Sequence, residues 1–436
     1  MKKAFLSLGV LLMMFSLVSC GNDSSTSGTT TDDSGDTDTG GTTDDDDGDD
    51  DDDTKPGDGG GSGSGGSGAS STATISYGTI TDTSAAVIIN NETYTYKANL
   101  VVSGTETTID NQTFNNSTSD SNVILVCNGG TLNINDCILN KTGDGSAYTS
   151  DDYNFYGLNS AIICIGEDST ININNMTINS DAEGANAIFS FGGANINIDD
   201  IDITTKENSS RGLYSTYKGI ITANDINIVT NGAHCAPLAT DRGGGYVYVN
   251  SGTNYVEAHG DGSPCIYSTG DIEATNLTGY SEEAQTMVIE GKNIITVSNS
   301  TLTSDSESND GIMLYQSMSG DASDDVASQT YSTLTISDST INYKGSGDYG
   351  LYLITNTSSI VNSTNVTYVS SDEDFIWCGA VRWGTDGSNG GDLTFNSYNE
   401  TLTNKISTNT DDSSITLNLK DNSTFTGTSS GNVDIN

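Results

Sequence analysis

A short pattern, apolar–x–apolar followed by Asn, Asp, Ser or Thr, returns about every 25 residues from Leu132 to Ile415. It constrains the fold more than any other feature, because a period in that range marks stacked repeats that cannot bury their apolar faces singly. The first apolar place holds Leu132, Ile171, Ile196, Ile221, Val247, Ile272, Ile295, Leu334, Leu393 and Ile415, with Ser359 as the polar exception. Two places on stand Ile134, Ile173, Ile198, Ala223, Val249, Ala274, Val297, Ile336, Val361, Phe395 and Leu417. This alternation predicts strands with one buried face. The polar place that follows (Asn135, Asn174, Asp199, Asn224 and their successors) suits a sharp corner, since Asn and Asp tolerate the left-handed conformation. Stacked Asn amides can also bond from coil to coil.

The expected fold is all-β, a single right-handed parallel β-helix of about 12–13 coils and roughly 60 Å length, at about 4.8 Å per coil. Weaker coils are expected at Val87–Ile89 and Ile109–Phe114. Long intervals interrupt the repeat near Asn140, Thr303 and Val366, and their similar phase predicts insertions on one side of the rod. The later two leave coils two steps apart, so their roots are expected within about 10 Å.

The residues ahead of the rod divide in two. Lys2, Lys3, the apolar run 4–18 and Leu17-Val18-Ser19-Cys20 predict a signal over 1–19, too short to span a membrane. The closing four residues resemble a lipobox, which implies a lipid-modified Cys20. Residues 20–70 then read as a tether, acidic and afterwards Gly/Ser-rich, of a composition that cannot bury enough surface to order itself. The β-helix is expected over 71–436. These features together predict attachment to the bacterial envelope, at the outer membrane or cell surface.

Charge narrows the partners. The net charge is −45, and −33 of it falls on residues 71–436 once the signal and tether are subtracted. Nucleic acid is excluded, because it requires basic patches. Polyanionic glycans are disfavoured unless calcium reverses the local sign. The compatible partners are neutral glycans, cell-surface components and divalent cations, with the membrane touched only through the lipid. Six cysteines beyond Cys20 show no CxxC spacing and sit among apolar or small neighbours, which predicts interior thiols.

The late insertions carry the residues best suited to sugars: Tyr315, Gln316, Trp377, Arg382, Trp383, Asp386 and Asn389. Aromatic faces stack on pyranose rings while amides and carboxylates meet hydroxyls. An enzyme would draw on carboxylates and the scarce arginine, with Asp241, Arg242, Glu290 and Asp321 as candidates, two carboxyls being needed about 5–10 Å apart for a hydrolase. Asp321, Asp324 and Asp325 are the acidic cluster that could take calcium, although the chain has no EF-hand loop. His259-Gly260-Asp261 is only a near-match to a polygalacturonase motif.

Asp241-Arg242-Gly243-Gly244-Gly245, Ser263–Gly270, Val288-Ile289-Glu290-Gly291, Leu314–Asp321 and Gly387-Ser388-Asn389-Gly390 resemble segments of an adhesin-like family of secreted β-helix proteins from gut bacteria. The resemblance covers roughly residues 75–430. It implies the pectate-lyase-like β-helix fold and no established reaction. A non-catalytic, glycan-binding surface protein is therefore the leading expectation, with a polysaccharide hydrolase or lyase as the alternative.

Overall fold

The computed structural model describes residues 72–317, 331–381, 390–409 and 411–436. They form a right-handed parallel β-solenoid of about 12 turns with one short helix. In Thr170–Ser180 the inward residues Ile171, Ile173, Met176 and Ile178 are buried while their neighbours face out. The same places in Asn195–Thr205 and Ile220–Thr230 carry Ile196, Ile198, Ile201, Ile203 and Ile221, Ala223, Ile226, Ile228, paired in register. Like side chains thus stack coil on coil, and each coil covers the apolar face of the next.

Each long strand bends at a residue in the left-handed region. Asp136, Asn175, Asp200, Asp225, Asn276, Asn299, Asp338, Asn365 and Asn399 hold φ between 49° and 68°. Asn and Asp are chosen there because only short polar side chains accept that conformation cheaply. The corner falls one residue later than the sequence pattern places it in most coils, for example at Asn175 and not Asn174. The amide ladder is real: Asn175 Nδ2 donates to Asp136 Oδ1 at 2.6 Å, and Asn399 Nδ2 to Asn365 Oδ1 at 2.6 Å.

The other wall is a 15-stranded sheet whose strands, such as Ile162–Ile165, Ile188–Phe191 and Ile312–Tyr315, are buried on both faces. Burial on both sides removes the alternation and leaves short apolar runs. Ile162 and Cys164 point into the solenoid, while Ile163 and Ile165 belong to a second apolar cluster outside it. That outer cluster is roofed at the N-terminal end by Ile75–Thr81, Ser84–Ile89 and Glu92–Ser103, which pair antiparallel. Val87–Ile89 is therefore part of a cap and not a coil. Glu106–Asp110 and Thr113–Asn116 do stack parallel on Thr131–Lys141. The six cysteines among the described residues are free and buried.

The insertions do not share one phase. The first lies before Ile162–Ile165, and the other two follow Ile312–Tyr315 and Asp374–Cys378, on the opposite edge of the long sheet. The later two do share a phase, and their strands are separated by Tyr352–Thr355 alone. The first insertion forms helix α1 (Ser150–Tyr156), capped by Thr149, whose hydroxyl accepts from Asp152 N at 3.2 Å, and ended by Gly157 at φ 66°. Its Tyr153 and Phe155 close over the outer face of the long sheet beside Ile163, Phe189 and Tyr214.

Candidate functional site

The outer face of the long sheet gathers the described candidates Asp241, Glu290, Tyr315 and Trp377. Because neighbouring strands pair without slippage, Phe189, Tyr214, Ala239, Tyr267, Val288, Met313, Leu353 and Trp377 form one outward row. Two residues further along each strand, Phe191, Thr216, Asp241, Thr269, Glu290 and Tyr315 form the next. Asp241 and Glu290, remote in sequence, therefore stand two strands apart, about 10 Å between Cα atoms.

Asp241 is half-buried, with Tyr214 Oη donating to Oδ2 at 2.8 Å and Arg242 N to Oδ1 at 2.8 Å. Burial raises its pKa, and the Arg211 guanidinium opposes that shift. Arg242 lays its guanidinium over the Phe155 ring, 3.9 Å from the centroid. Arg211 is buried, donates through Nη1 to Asn154 Oδ1 at 2.8 Å and lies 4.6 Å from the Tyr214 centroid. Both arginines thus hold the first insertion against the sheet. The glycines after Arg242 serve the same corner: Gly243 has φ 79°, and a Cβ there would come within 2.5 Å of Tyr217.

Glu290 is buried and accepts from the hydroxyls of Tyr267 and Tyr315, the latter at 3.0 Å. Burial, reinforced by the charge of Asp241, pushes its carboxyl up to about 7 against those hydrogen bonds and one from Ser317. Tyr315 is itself only 1% exposed, so its ring is spent on this contact and offers no face to a ligand. Gln316, next along, is half-exposed, and its carbonyl accepts Asn356 Nδ2 at 2.8 Å.

Trp377 keeps part of its indole in solvent and packs against Tyr349, with ring centroids 4.5 Å apart. It lies on the strand that leads into the third insertion, level with Leu353 and Met313, while Gln316 and Asn356 follow the ends of the two preceding strands. Asp321, Asp324, Asp325, Arg382, Trp383, Asp386, Asn389 and Cys20 lie outside the described residues. Among the described residues no group of three or more His, Cys, Asp or Glu could hold a metal ion, and no helix is long and apolar enough to cross a membrane.

Sequence reasoning passed over Arg211, Tyr214, Tyr267 and Tyr349. Arg211 carried a usable signal, since arginine occurs at only 211, 242 and 382 in the whole chain. His259 has a plain structural role, with Nδ1 2.5 Å from Glu282 and Nε2 3.0 Å from Glu257. Comparison with known protein families, with curated proteins and with solved structures finds no match.

Proposed function

We propose that this chain is a lipid-anchored, surface-displayed, adhesin-like β-solenoid that binds neutral glycans without turning them over. The observation that carries the reading is the half-exposed Trp377, paired with Tyr349 on the outward face. An indole face takes the C–H side of a pyranose. The negative charge of the rod is neutral toward such ligands and repels polyuronates. The Leu17-Val18-Ser19-Cys20 sequence and the acidic tether supply the anchor and spacer of this reading.

One observation favours hydrolysis. Asp241 and Glu290 stand on one outward row, about 10 Å apart at Cα, and burial raises both pKa values. Their hydrogen bonds argue for a scaffold role, because Tyr214, Tyr267 and Tyr315 occupy the oxygens a substrate would need.

Incubating the full chain with immobilised galactomannan and xylan, with calcium or EDTA, separates the readings. Retention without released oligosaccharide is expected, and Trp377→Ala should weaken it at least tenfold. Release of oligosaccharide that disappears in Asp241→Asn or Glu290→Gln would instead establish the hydrolase.

A further inference from the structure

A different wall of the solenoid carries a second aromatic surface. In Tyr246–Val249 the residues Val247 and Val249 are buried, so Tyr246 and Tyr248 both project outward and are half-exposed. Their rings lie 6.1 Å apart with 32° between planes, as residues at i and i+2 of one strand allow. The two faces form a ledge that runs along the strand, across the rod axis. The next strand, Asp271–Thr275, pairs in parallel so that Asp271 stands beside Tyr246 and Glu273 beside Tyr248. The strand after it continues the surface with Ile294 and Thr296.

The carboxylates border the ledge on one side, about 5 Å away. Asp271 Oδ1 is shielded from solvent and has no hydrogen-bond partner, whereas an exposed strand carboxylate would ordinarily be solvated. Burial, with the charge of Glu273 beside it, pushes the Asp271 carboxyl up to about 6. Shielded in this way, Oδ1 is closed to a ligand hydroxyl, and Glu273, exposed beside Tyr248, is the carboxylate that can accept one. Two rings in line with adjacent acceptors match an extended chain of pyranoses, whose C–H faces stack while equatorial hydroxyls reach sideways. The same carboxylates repel uronates and nucleic acid.

We propose that Tyr246, Tyr248 and Glu273 form a second carbohydrate-binding ledge, specific for an extended neutral polysaccharide laid across the rod. The inference rests on the glycan-binding reading above but places the contact on another wall, separate from Trp377. Two sites on one rod would bind a polymer multivalently, with avidity beyond either contact alone.

The test is affinity gel electrophoresis of the full chain in galactomannan, xylan and hydroxyethylcellulose, with polygalacturonate as the anionic control. The variants are Tyr246→Ala/Tyr248→Ala, Glu273→Gln and Trp377→Ala, each checked for an unchanged melting profile. The tyrosine double variant should weaken retardation at least tenfold in one neutral polymer, and Glu273→Gln several-fold with both rings intact. Retardation unchanged in a folded double variant overturns the ledge, and retardation abolished by Trp377→Ala alone leaves the first site standing without it. Loss in the double variant with none in Trp377→Ala moves the function to the ledge. A wild-type chain retarded by none of the neutral polymers overturns both.

Discussion

Arg211→Ala is expected to lower the unfolding free energy by about 3–5 kcal/mol, the cost typical of removing one member of a buried charged cluster. Arg211 is 2% exposed, and its guanidinium donates to Asn154, lies over the Tyr214 ring and opposes the charge of the half-buried Asp241 carboxylate. Without it, Asn154 loses its donor and Asp241 loses one opposing charge, while the first insertion loses a clamp onto the sheet. The damage should be local before it is global, with residues 142–161 becoming sensitive to protease under conditions where the coils remain intact. Asp241→Asn in the same chain should recover part of the loss, because it removes the buried carboxylate that the first substitution leaves with only Arg242 to oppose its charge. Denaturant unfolding of the two single variants and the double variant measures this coupling, and strict additivity would show that the two side chains do not interact. Arg211→Lys should recover little, since an ammonium lacks the planar fork that bonds Asn154 and lies over a phenol ring.

Glu290→Gln should abolish a pH dependence that the native chain shows between about pH 4.5 and 7. A carboxyl raised to about 7 in the folded state binds its proton more tightly than in the unfolded chain. Stability is therefore highest below the unfolded value and falls as pH rises through the folded one. The shift corresponds to about 3 kcal/mol between those limits. Glutamine imitates the protonated acid and keeps an oxygen for Tyr267 and Tyr315. The variant should match the native protein near pH 5 and exceed it near pH 8. Because the chain carries −45 overall, repulsion among surface carboxylates also varies with pH. The informative quantity is the difference between variant and native protein at each pH. A difference that stays constant from pH 5 to pH 8 would refute the assignment to Glu290.

The candidate site was legible in pieces. Trp377 and Gln316 were singled out because aromatics and amides cluster where the repeat is interrupted, and both keep exposed surface. Tyr315 was singled out on the same ground, yet it is buried on Glu290, since composition cannot tell a ring that faces solvent from one that caps a carboxyl. The Asp241-Arg242 pair stood out by rarity, but its partner Phe155 lies in an insertion three coils earlier in sequence. The ledge of Tyr246 and Tyr248 escaped notice because outward tyrosines on a strand look ordinary until the neighbouring strand sets Asp271 and Glu273 beside them.

By itself the chain determined its solenoid walls. Alternating Ile, Val and Leu in each repeat bury one face of a strand, and Asn or Asp at the bend accepts the left-handed turn. Both are local demands that recur in every coil and can be read without knowing what lies across from them. Only the tertiary structure decided what lies outside those walls. The long sheet is buried on both faces, so its strands carry no alternation to mark inward from outward. Which edge each insertion leaves from, and which side chains it meets, follow from coil stacking, where residues separated by 25 or more positions become neighbours.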